Sequence, residues 1–225
     1  DCKTLKEAVT RVEQDQRITT IVVGEGEHVV EVLTDEWGHV NNILRIFSAM
    51  RIVGRPDVPK EMIVVVGGIH FNPGIQGICH LQHMTLRQAK YHGVCGWSSF
   101  SMDDVLVEQC GYSGVVAKQN AGVVGRCTNV EVRQCGGSGV VAANDASMIL
   151  IGVKTTVHHN CIKGKSDDYG LTVHGSSSST IQLISPLTKE NVSTDNAGGG
   201  YWGAFQGGDI NQIKKIADTS SLPVL

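Results

Sequence analysis

The pattern that organises this chain is a short alternation of apolar and polar residues that returns at a fixed interval. Val105-Leu106-Val107-Glu108-Gln109-Cys110-Gly111-Tyr112-Ser113-Gly114-Val115-Val116-Ala117 recurs 25 residues later as Val130-Glu131-Val132-Arg133-Gln134-Cys135-Gly136-Gly137-Ser138-Gly139-Val140-Val141-Ala142. A related run, Met84-Thr85-Leu86-Arg87-Gln88-Ala89 with Gly93-Val94, lies 21 residues upstream, and a degenerate one spans Val157-His158-His159-Asn160 to Gly170-Leu171. Periods of about 20 to 50 residues belong to repeat architectures, and alternation with period two is that of strands. Each unit therefore predicts one coil of a solenoid. Met84 and Leu86, Val105 and Val107, and Val130 and Val132 point into the core, while Thr85, Leu106 and Glu131 point away.

Stacking strands at about 4.8 Å places equivalent positions in ladders. Gln88, Gln109 and Gln134 are expected to stack at the first turn, with Ala89, Cys110, Cys135 and Asn160 just beyond at a tight inward corner. Val94, Val115, Val140 and Leu171 begin a second core-facing strand after a glycine that permits the bend. On that strand Cys95, Val116, Val141 and Thr172 face outward, an apolar stripe that calls for a cover. The segment Trp37 to Asn42, the tail ending Leu222-Pro223-Val224-Leu225, a second copy of the chain and a protein partner are the candidates.

The flanks read as ends of the stack. Thr4-Leu5-Lys6-Glu7 has capping-box spacing, and Leu5, Ala8, Val9 and Val12 share a helical face, so residues 1–19 predict a capping helix. Thr20-Ile21-Val22-Val23, Leu44-Arg45-Ile46 and Met50-Arg51-Ile52-Val53-Gly54 read as early strands and turns. Asp209, an N-cap, precedes isoleucines spaced by three at 210, 213 and 216, which predicts a short terminal cap. One domain of 225 residues results: cap helix 1–19, coils 20–205, cap and tail 206–225.

Composition agrees: apolar residues make up 41% but aromatics only 5%, and 27 glycines suit many short strands joined by tight turns. A formal charge of −3, with 22 acidic and 19 basic residues interspersed, supplies no basic block for nucleic acid. No apolar run reaches the roughly 18 residues of a membrane span, so no membrane insertion is expected. Asp1 at the start is expected of a trimmed or mature form, and the lack of a signal peptide says little about compartment. Seven cysteines without CxxC spacing read as buried free thiols and favour a cytoplasmic location. The sequon Asn191-Val192-Ser193 points towards secretion instead.

The Leu5-Lys6-Glu7-Ala8-Val9 helix, the Ile21-Val22-Val23-Gly24-Glu25-Gly26 strand and turn, and Ile52-Val53-Gly54 resemble the N-terminal part of pectin-lyase-like proteins. The Cys-Gly-x-Ser-Gly-Val-Val-Ala units resemble the β-helix repeats of carbohydrate-active and F-box-type proteins. The resemblance covers roughly residues 3 to 205 and implies an all-β fold, a right-handed parallel β-helix. Its catalytic motifs are missing: Asn-Thr-Asp, Gly-His-Gly and Arg-Ile-Lys of polygalacturonate hydrolases, and Asp-Pro-His-Asp of uronate epimerases. The scattered calcium carboxylates and arginine base of lyases leave Asp104, Glu131 and Arg133 open.

Candidate chemistry lies along the outward faces. Arg87, Glu108, Arg133 and His158 form one column of alternating charge, either a cross-strand ion-pair ladder or a saccharide-binding strip with His158 and Glu108 available for proton transfer. Asp103-Asp104 and Asp167-Asp168 read as turn aspartates more readily than as a glycosidase pair, because adjacent strand residues point apart. His158-His159, Cys161 and His174 lack metal spacing, so no metal and no cofactor is expected. Trp97, Tyr112, Tyr169, Tyr201 and Trp202 could stack on sugars or pack loops, and residues 196–203 read as a flexible aromatic loop. The expected function is a non-catalytic module that presents an elongated strand face to a protein or a glycan. Arg87, Glu108, Arg133, His158, Tyr201 and Trp202 are its ligand candidates, no catalytic residue is assigned, and self-association through the apolar face is a further expectation. The alternatives are a polysaccharide lyase, hydrolase or epimerase acting on an acidic glycan, and a purely structural solenoid.

Overall fold

The computed structural model describes residues 2–15, 17–34, 38, 40–119 and 122–218. The chain is mostly β, with two large parallel sheets between which it alternates. The first sheet runs Thr20–Val23, Arg51–Gly54, Cys79–Arg87, Phe100–Glu108, Val124–Thr128, Ser147–Ile151, Thr180–Ile184, Ile213–Ile216. The second runs Ile43–Ile46, Gly68–Phe71, Val94–Gly96, Val115–Lys118, Val140–Ala143, Tyr169–His174, Gly200–Phe205. A further row joins the first sheet through Gly26–Val29, Ile63–Val66, Glu131–Arg133, Thr156–His158 and Ser193–Thr194.

Strand register follows the repeat. Val107 pairs Val132 and Val115 pairs Val140 at the 25-residue offset, Glu108 pairs Arg87 at the 21-residue offset, and Val140 pairs Leu171. Because every layer repeats the same alternation, inward residues fuse into one core. Leu81, Met102, Cys127 and Leu150 contribute from the first sheet, and Ile69, Val94, Val115 and Val140 from the second. Phe100 fills the centre against Phe71, with ring centroids 5.5 Å apart. Its ring fits because residue 125 is glycine: a Cβ there would lie 2.7 Å from the Phe100 ring and 2.4 Å from Met148 Sδ.

The corners are columns of left-handed residues that are not glycine. Gln88, Gln109, Gln134, His159 and Asp195 have φ of 55°, 57°, 55°, 54° and 51°. His83, Asp104 and Asn129 form a second such column at 53°, 51° and 50°. Each residue turns the chain between rows, at a conformational cost that hydrogen bonding along the column offsets. The expected glutamine stack is present, with Gln109 Nε2 donating to Gln134 Oε1 at 3.4 Å. Behind it Ala89, Cys110, Cys135 and Asn160 are buried as expected. Asn160 caps the corner: its Oδ1 accepts from Cys135 N–H, and its Nδ2 donates to Val132 O, His158 O and Asn196 Oδ1.

The helix Leu5–Gln14 forms as expected, capped by Thr4, whose side chain accepts from Glu7 N–H, and it buries Leu5, Val9 and Val12. The C-terminal expectation is corrected. Asp209 does cap a helical turn, but that turn is a single 3-10 turn, Ile210–Gln212, and the chain then continues as the strand Ile213–Ile216. Ile213 pairs Ile181 and Ile216 pairs Ile184, so register with the sheet decides the conformation. Residues 196–203 are likewise corrected: half of this segment, 200–203, belongs to the strand Gly200–Phe205, and the half before it is anchored by buried Asn196. No described helix is long and apolar enough to cross a membrane.

Candidate functional site

The charged column assembles as the repeat requires. Arg133 donates to Glu108 from Nη2 at 2.8 Å and from Nε at 3.0 Å, and Arg87 Nε lies 3.7 Å from the same carboxylate. Glu131 joins from the neighbouring column, 2.9 Å from Arg133 and 3.2 Å from His158. Burial would lower the Arg133 pKa, but the two glutamates hold it above its ordinary value. Glu108 is buried between two guanidiniums, and with Glu131 it balances the charges of Arg87 and Arg133 in an ion-pair ladder, although Arg87 Nε makes no hydrogen bond.

Tyr201 and Trp202 do not form a common platform. Trp202 pairs Leu171 and packs against the core, whereas Tyr201 is exposed, with ring centroids 6.2 Å apart. Tyr169 packs against the neighbouring strand: a Cβ on Gly203 would meet its ring at 2.4 Å.

The acidic pairs stay in separate hydrogen-bonded sets. Asp104 binds Lys60 Nζ at 2.7 Å and His83 Nδ1 at 2.7 Å, while His83 Nε2 lies 2.8 Å from Val58 O. Both ring nitrogens of His83 thus face acceptors. Burial opposes the charge, but the bonds to Asp104 and Val58 raise the His83 pKa. Asp168 instead accepts from Ser138 at 3.3 Å, and its pKa is raised by burial. On the first sheet Ser101 Oγ lies 2.8 Å from His80 Nδ1, and His80 Nε2 lies 3.3 Å from Gln82 Oε1, a hydrogen-bonded set on neighbouring strands.

The cysteines are free, and all but Cys2 are buried. Burial raises the Cys127 thiol to about 12. Among the described residues no group of three or more His, Cys, Asp or Glu is placed to hold a metal ion. Within the sequon, exposed Asn191 completes a capping box with Thr188, and Ser193 donates to Tyr201 O.

The outward column on the second sheet leads to a site that the sequence motifs did not mark. Cys95, Val116 and Val141 are buried with Ala143, and Trp97 packs on them, so part of the expected cover is intramolecular. Thr172 donates to Ser138 Oγ at 2.9 Å. Trp37 and the tail residues 222–225 lie outside the described residues, so their expected covering role has no structural counterpart here. One layer upstream the column continues into His70 and Arg45, which pair in register as Arg45, His70, Cys95.

Here a groove of ≈ 610 Å³ opens. Arg45 and His70 rise from the second sheet, Lys118 stands at the end of the strand Val115–Lys118, and Tyr91, His92 and Tyr112 come from the preceding turns. Tyr91 and Tyr112 occupy the same place in successive repeats, and their rings stack at 5.2 Å and 9°. Lys163 Nζ lies 4.5 Å from the Tyr112 centroid, and Lys118 Nζ 4.3 Å from that of Trp97. Three of the residues that line this groove carry a buried polar atom with no hydrogen-bond partner: His70 Nε2, His92 Nδ1 and Gln119 Oε1. Burial, with help from His92, Arg45 and Lys118, lowers His70 to about 3, and burial and Lys118 lower His92 to about 4, so both imidazoles are neutral at pH 7. The arrangement can bind a polar ligand between aromatic walls; among the described residues no carboxylate lines it for acid or base work.

In comparisons with known proteins, no family model matches the chain, and no curated protein or solved structure matches it.

Proposed function

We propose that this protein is a non-catalytic binding module that takes a glycan in the groove on the outer face of its second sheet. The scaffold in this reading is a closed right-handed parallel β-helix of the pectin-lyase-like kind. Support for the scaffold comes from the alternation of the chain between parallel sheets at constant register and from the single fused core. The observation that carries the function is that three residues lining one aromatic-walled groove each hold an unpartnered buried polar atom. An unmade buried hydrogen bond costs about 1–3 kcal/mol, and native proteins keep few of them. A ligand with hydroxyl groups supplies the missing partners, and rigid rings bound such a ligand at small entropic cost.

The charged ladder serves as scaffold in this reading, because its members pair with each other. The test is a glycan-array screen with a parallel turnover assay on wild type, Tyr112→Ala and Arg133→Ala. Binding lost in Tyr112→Ala and kept in Arg133→Ala, with no cleavage product, is the expected result. A cleavage product from any polysaccharide overturns the non-catalytic assignment.

A further inference from the structure

We propose that the end of the groove formed by Arg45, His70, His92 and Lys118 binds a tetrahedral oxyanion, the phosphate or sulfate ester of a modified sugar. This inference rests on the glycan reading of the groove and names the group that selects its ligand.

The charge balance of the groove sets the sign of that group. Arg45 and Lys118 line it, and among the described residues no Asp or Glu does. Lys118 lies against the Trp97 ring, a face that holds a cation without neutralising it. Two fixed cations repel a metal ion, and the two imidazoles fall short of the donor number a metal centre needs. An anion is attracted by both cations.

The directions of the donors set its shape. A planar carboxylate is matched by one flat guanidinium fork. Here the polar groups arrive from separate elements: Arg45 from the strand Ile43–Ile46, His70 from Gly68–Phe71, Lys118 from Val115–Lys118, and His92 from the turn before Val94–Gly96. Groups converging from several elements suit the three free oxygens of an ester phosphate or sulfate.

The proton inventory gives the pH dependence. Nδ1 of His92 is buried and has no hydrogen-bond partner. A neutral imidazole has one N–H to offer, whereas the imidazolium donates from both ring nitrogens. Binding of an oxyanion therefore favours uptake of a proton by His92. The groups facing His92 are His70, Lys118, the edge of Tyr112 and the Ser113 backbone, with Arg45 beyond His70; every charged group in this set is cationic. A bound oxyanion reverses their repulsion of the imidazolium, so affinity rises on acidification.

The experiment is calorimetric titration of the whole chain with inorganic phosphate, glucosamine, its 6-phosphate, its 6-sulfate, and glucuronate, at two pH values about two units apart. Wild type is compared with Lys118→Gln and His92→Phe, their folds checked by circular dichroism. The expected result is binding of both esters at least tenfold tighter than of glucosamine and glucuronate, tighter at the lower pH, with the preference lost in Lys118→Gln and the pH dependence lost in His92→Phe. Should the esters bind differently, the stronger one identifies the modification. Equal binding of all the sugars overturns the oxyanion inference and leaves the glycan reading standing, as does tighter binding of glucuronate. Binding of inorganic phosphate that is lost in Lys118→Gln, with no sugar bound, supports the oxyanion site and overturns the glycan reading. No binding of any compound overturns both.

Discussion

Asn160→Ala tests the hydrogen bonding at the corners. Asn160 is fully buried, and its amide has no polar atom left unmatched. Alanine would leave the Cys135 N–H without its acceptor and remove a donor from Val132 O, His158 O and Asn196 Oδ1. Asn196 Oδ1 still accepts from the Asn160 backbone at 2.9 Å, and the two carbonyls keep their strand environment, so the orphaned N–H dominates. An unsatisfied buried donor costs about 1–3 kcal/mol, and the cavity left by the amide adds on the order of 1 kcal/mol. The expected loss is about 3 kcal/mol, which lowers the melting temperature by roughly 6–12 °C for a chain of this size. Thermal and urea unfolding followed by circular dichroism would measure it, with Lys154→Ala as an exposed control. A loss below about 1 kcal/mol would refute the reasoning, because the corner would then be held by packing alone. Asn160→Asp should be at least as damaging, since a carboxylate keeps the acceptor but places an uncompensated charge in the core.

Further outcomes follow from the same physical arguments. Gly125→Ala puts a Cβ within 2.7 Å of the Phe100 ring and should cost about 1–3 kcal/mol in urea unfolding. The bonds that raise the His83 pKa stabilise the fold while the ring is charged; that contribution is complete below the unfolded pKa of about 6.5 and is lost as pH rises through the higher folded value. The stability difference between wild type and His83→Gln should accordingly shrink as pH rises above about 7, and a difference that grows would contradict the assignment. His70 has the opposite sign: with its folded pKa near 3, acidification below about 6.5 protonates the unfolded chain first, so His70→Gln should flatten the loss of stability in acid. Ser101 beside His80 should resist a fluorophosphonate probe; labelling abolished by His80→Gln would reveal a nucleophile and sink the non-catalytic reading.

Much of the fold was legible because one alternation recurs at a constant offset. Val107 over Val132 and Val115 over Val140 could be written down from spacing alone, and the alternating charges of Arg87, Glu108 and Arg133 followed from the same register. The corners were partly legible. Gln88, Gln109 and Gln134 aligned in the sequence, but glutamine carries no turn preference, so their left-handed backbone is imposed by the fold. At the C-terminus the spacing of Ile210, Ile213 and Ile216 imitated a helical face, and pairing with the strand Thr180–Ile184 overrode it.

The candidate site was far less legible. Arg45, His70, His92 and Lys118 come from successive layers with no spacing that marks a motif, and only three-dimensional stacking brings them to one groove. Two signals were available: the 21-residue offset that places Tyr91 over Tyr112, and the Cys95–Val116 column, which continues upstream to His70. Burial was the missing quantity, because whether His70 and His92 lack partners depends on the walls around them.

The most direct test of the central claim is nuclear magnetic resonance of the imidazoles during titration with the glycan that the array selects. The account predicts that the resonances of His70 and His92 shift with ligand while those of His158 and His159 stay fixed. Shifts confined to His158 and His159 would move the binding face to the charged ladder and contradict the account.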